Sequence, residues 1–120
     1  MKGNKFILIP LTLILICVFA IPVYASVTGV AKFTNTGTYI GGYSYTETTF
    51  VATKITETTA LYKDDVLVDS DADSGTTYAQ GDVGVNNPSG IQDWYIEGMG
   101  IVWQGNIYNA YPHESSVVSK

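Results

Sequence analysis

The chain has 120 residues and a net charge of −5, with 12 Gly, nine Tyr, a single Cys and a single His; its six basic residues are all Lys. That length holds one domain and leaves no room for a cofactor fold with a separate substrate domain. The acidic balance and the absence of Arg argue against nucleic acid, whose phosphates call for clustered cations.

Lys2 and Lys5 precede a run from Phe6 to Val23 that is apolar except for Thr12 and two prolines, the pattern of the n- and h-regions of a secretory signal. Val23-Tyr24-Ala25 ends the run as a small-x-small site, so a signal helix over residues 1–25, cleaved before Ser26, is expected ahead of one domain at 26–120. Retained, the same segment of about 18 residues sits at the lower edge of what spans a bilayer and acts as a membrane anchor. Cys17 lies inside it. The remaining 95 residues hold four Lys (Lys32, Lys54, Lys63, Lys120) against 11 acids, a balance of −7 with no Cys. This disfavours anionic membrane surfaces and rules out disulfides. Stability is then left to packing, a metal, oligomerisation or retention at a surface.

No window after residue 25 sustains an apolar stripe at helical spacing, while Thr, Tyr and Val alternate with recurrent Gly, so the domain is all-β. Val27 to Thr34 forms the first expected strand, closed by Asn35-Thr36-Gly37. Tyr39 to Tyr45 forms the second, with Gly41-Gly42 marking a bulge or close approach. Between Thr48 and Lys63, Val51, Thr53, Ile55, Thr59 and Leu61 share a parity with Glu57, and a carboxylate on an apolar face predicts a bulge or bend near it.

Asp64-Asp65 stands between alternating residues as a hairpin turn, because Asp tolerates left-handed backbone. Thr76 to Val85 is a strand interrupted at Gly81, 86–90 is a loop, and Ile91 to Gln104 supplies one or two strands divided at Gly98 and Gly100. Seven or eight short strands at this spacing predict a small antiparallel β-sandwich.

The stretch Leu-Tyr-Lys-Asp-Asp-Val-Leu-Val-Asp-Ser-Asp-Ala-Asp-Ser-Gly at 61–75 resembles a hairpin of small secreted β-proteins of bacteria and archaea, many of them uncharacterised, which carry an aliphatic-Tyr-Lys-Asn-Gly-x-x-Val-x-Ser-Asp-like pattern. The resemblance implies an exported β-domain and transfers no activity or site residue. Asp64-Asp65 departs from its usual Asn-Gly.

Three constellations carry candidate chemistry. Asp69, Asp71 and Asp73 alternate as at the start of a calcium loop, although Gly75 falls one position late and Gln80 replaces the bidentate Glu. The same three carboxylates also suit a solvated strand edge that resists aggregation. Trp94, Tyr95 and Trp103 suggest an aromatic surface for a glycan or protein partner; the two Trp have opposite parity in one regular strand, which leaves at least one outside the core.

Enzymatic sets are sparse. His113 stands alone beside Glu114 and Ser115 near the end of the chain, as a surface residue, and a Glu57/Glu97 pair would need the separation of a glycosidase. One His without Cys does not make a catalytic zinc set. Gly98-Met99-Gly100 is no phosphate loop. A secreted or cell-surface, non-enzymatic domain that acts by binding is therefore expected, without nucleic acid and without a cofactor unless calcium binds. A self-assembling surface-layer or filament protein is the alternative, followed by an exported bacteriocin-like protein or a small hydrolase.

Overall fold

The structure is a computed structural model that describes residues 25–120; the expected signal helix lies outside the described residues. Eight strands follow one another: β1 (Val27–Thr36), β2 (Tyr39–Thr48), β3 (Lys54–Lys63), β4 (Val66–Gly75), β5 (Tyr78–Asn86), β6 (Asp93–Gln104), β7 (Ile107–Glu114) and the short β8 (Val118–Ser119). They form two antiparallel sheets. The smaller has the order β1-β2-β5; the larger runs β4-β3-β6-β7, with β8 pairing the start of β6.

The sheets pack face to face, β1 against β6 and β7, β2 against β3 and β6, and β5 against β3 and β4. Period-two alternation decides which residues meet between them. Ile40, Leu61, Val83, Trp94 and Ile96 form one buried apolar cluster, and Ala52, Ile55, Ala79 and Val102 form another. Each fully buried large apolar side chain contributes about 1.5–3 kcal/mol through removal from water.

Turn chemistry sets the registers. Asp64 and Asp65 both have positive φ (48° and 64°) between the paired Lys63 and Val66, the two-residue turn whose twist matches its strands. Gly105, at φ 63°, opens a second two-residue turn, Gly105-Asn106, in which only the first central residue has positive φ, between Gln104 and Ile107. The irregularity expected near Gly41-Gly42 falls on their partner strand, where the register shifts between Phe33 and Asn35.

Several expectations are corrected. β3 keeps its register through Glu57, which points into the core without a bulge; the shift against β4 comes later, between Leu61 and Tyr62. Gly81, Gly98 and Gly100 do not interrupt β5 or β6, and β6 runs unbroken for 12 residues. Residues 69–75 lie in β4 rather than in a loop, and His113 lies in β7 rather than in a loose tail.

Candidate functional site

Between the two apolar clusters the inner faces carry a polar layer of Ser44, Thr46, Glu57, Thr59 and His113, the first four fully buried. Ser44 Oγ donates to Glu57 Oε1 at 3.1 Å and Thr46 Oγ1 donates to Oε2 at 2.9 Å. His113 Nε2 lies 2.5 Å from Glu57 Oε1, and its Nδ1 lies 2.9 Å from the Tyr111 carbonyl oxygen. A carbonyl oxygen only accepts, so Nδ1 carries a proton; the contact between Nε2 and Oε1 holds a second. Ser44 has one hydroxyl proton and gives it to Glu57, so Thr59 is the donor in the 2.5 Å contact between Thr59 and Ser44. Three donors thus compensate a carboxylate whose isolated burial would be prohibitive.

Glycine makes room for this layer. A Cβ at Gly98 would strike the His113 ring and come within 2.6 Å of Ser44 Oγ, and one at Gly100 would strike Thr46. The glycines at 98 and 100 are therefore sites of close approach inside a continuous strand. Although Ser, His and Glu meet here, the carboxylate sits between hydroxyl and imidazole. No hydrogen bond joins Ser44 to His113; Ser44, Thr46, Glu57 and Thr59 are closed to solvent, while His113 is part-buried and reaches the outer cleft. A nucleophilic relay needs the base on the hydroxyl, and here the carboxylate stands between the two.

The aspartate run has a different role in the geometry. Asp69, Asp71 and Asp73 extend from β4 toward β5 and accept the backbone N–H groups of Gly84 (2.8 Å), Asp82 (3.0 Å) and Gln80 (3.2 Å). β4 and β5 are terminal strands of different sheets, so the carboxylates stand where a neighbouring strand's carbonyls would. Among the described residues no three His, Cys, Asp or Glu side chains converge closely enough to hold a metal ion.

The expected aromatic surface divides by parity. Trp94 is fully buried in the first apolar cluster and is not part of any surface, because β6 passes through Gly98-Met99-Gly100 without changing register. Tyr95 and Trp103 face outward on the larger sheet. Tyr95 stacks on Tyr62 (centroids 4.9 Å, planes 10° apart), and Trp103 packs on Tyr108 (4.6 Å). Tyr43, Tyr45 and Tyr78 form a separate row on the smaller sheet. Glu57 points inward and Glu97 outward, so this pair cannot flank one glycosidic bond.

Beside the Tyr62–Tyr95 stack the outer face of the larger sheet holds an open cleft of about 620 Å³. Thr58, Ala60 and Tyr62 line it from β3, Glu97, Gly98 and Met99 from β6, and Pro112, His113 and Glu114 from β7, so the imidazole of the inner polar layer borders the cleft. Its volume lies within the range of ligand sites. Glu97 and Glu114 are direct cross-strand partners, so two carboxylates face each other within it. Partial desolvation, then the charge and hydrogen bond of Asp65 and the charge of Glu97, hold the Tyr95 phenol above its ordinary pKa. Of the cleft residues the sequence weighed Glu97, His113 and Glu114, each for another chemistry; a cleft assembled from three strands has no linear signature.

No protein-family model, curated protein or solved structure matches this chain.

Proposed function

We propose that the chain is an exported, non-enzymatic binding domain that takes its partner on the outer face of the larger sheet. The cleft beside Tyr62 and Tyr95 carries this reading: it combines an apolar floor, a stacked aromatic wall and fixed carboxylates on rigid strands. The Ser44–Glu57–His113 layer supports a scaffold role, since its members are engaged in internal hydrogen bonds and Ser44 and Glu57 are closed to solvent. Export is supported by Lys2, Lys5 and the apolar run over residues 6–23, with cleavage before Ser26 releasing the domain and retention leaving it on the membrane surface.

Glycan and peptide arrays probed with the full chain test this reading, with Tyr62→Ala as the control. The expected result is a ligand class whose binding Tyr62→Ala abolishes while thermal unfolding stays within a few degrees of the parent. A ligand insensitive to Tyr62→Ala but lost in Tyr45→Ala would move the site to the opposite sheet and overturn the proposal.

One observation favours self-assembly as a second reading: among the described residues β1 pairs only with β2 and β7 only with β6, which leaves an outer edge of each without a partner strand. Electron microscopy showing ordered polymers of the full chain would favour that reading over binding.

A further inference from the structure

We infer that the cleft recognises an arginine side chain on an extended, basic peptide segment, an inference that rests on the binding role proposed above. Glu97 and Glu114 face each other across β6 and β7, and like charges placed directly opposite destabilise a sheet. Among the described residues the only ion pair joins Glu57 to His113, so no lysine neutralises either carboxylate, and His113, which also lines the cleft, is engaged by Glu57. The repulsion is relieved when a cation enters between them.

The surroundings select an organic cation of a particular shape. Tyr62 offers a ring already stacked by Tyr95, against which a planar guanidinium can lie, while its fork meets the two carboxylates. Met99 and Pro112 provide apolar surface for the methylene stem. A calcium ion requires six to eight oxygens, roughly, and this cleft presents two carboxylates beside carbon-rich walls. A neutral glycan leaves the facing charges uncompensated. The acidic balance of residues 26–120, four Lys against 11 acids, adds long-range attraction for a basic partner.

Isothermal titration calorimetry on the full chain in nonionic detergent tests this, with acetyl-Gly-Arg-Gly-Arg-Gly-amide as ligand. The peptide with citrulline at both arginines and calcium chloride serve as comparisons. The arginine peptide is expected to bind and to weaken as salt rises. The citrulline peptide, Glu97→Gln and Glu114→Gln should each lower affinity about tenfold or more, as for charge-assisted bonds. Both glutamates are exposed, so circular dichroism should show the variants folded. Equal binding of the two peptides, no binding of either, or calcium binding lost in the same two variants would overturn the inference. An array ligand lost in Tyr62→Ala but kept in both glutamine variants would leave the binding role standing and remove only arginine recognition.

Discussion

At Glu57 strand alternation and the preference of carboxylates for water pull in opposite directions. Alternation prevails because Ser44, Thr46 and His113 supply three donors to the buried group. The parity of Glu57 was legible in the sequence, but its partners were not: His113 lies 56 residues away, and only the pairing of β6 with both β3 and β7 brings the two together. Removing one member of such a pair leaves a buried polar group uncompensated. Glu57→Ala should therefore destabilise the domain by about 3–5 kcal/mol in urea unfolding. A loss below about 1 kcal/mol, typical of a surface substitution, would contradict the buried geometry. Tyr95 gives a second check at this scale. Desolvation and the nearby Asp65 and Glu97 disfavour its phenolate, so its ionisation in an ultraviolet titration should come later than that of an ordinary tyrosine. Asp65→Asn should move it downward and leave the late ionisation of Tyr78, raised chiefly by its own desolvation, in place.

Strand β4 shows what a local pattern conveys and what it conceals. The alternation of Asp69, Asp71 and Asp73 was plain, and so was their common side, but their acceptor role toward β5 depends on two sheets meeting at that edge. The three contacts differ in setting. The Asp69 bond to Gly84 is the shortest and is partly buried, while the other two are exposed to water that can replace them. Asp69→Ala should thus cost about 1–3 kcal/mol, and Asp71→Ala and Asp73→Ala distinctly less, in chemical denaturation. Equal effects at all three positions would speak against a ladder graded by burial. β6 teaches the converse. Gly98 and Gly100 resembled breaks because isolated glycines weaken strands, but both lie where His113, Ser44 and Thr46 occupy the space of a side chain.

Across the described residues, eight antiparallel strands form two sheets, and from period-two alternation with turn residues an all-β sandwich of seven or eight strands was legible in the sequence. The split between the inner polar layer and the outer cleft was not, because each draws residues from strands distant in sequence. Carboxylates cap the β5 edge, while among the described residues the outer edges of the terminal strands β1 and β7 carry no partner strand. The central claim is that recognition occurs on the outer face of the larger sheet. Amide chemical shifts of the isotope-labelled full chain, followed during titration with the arginine peptide, test it most directly. The account predicts changes centred on Thr58, Glu97, Met99 and Glu114; changes centred instead on Tyr43, Tyr45 and Tyr78, or none at saturating peptide, would contradict it.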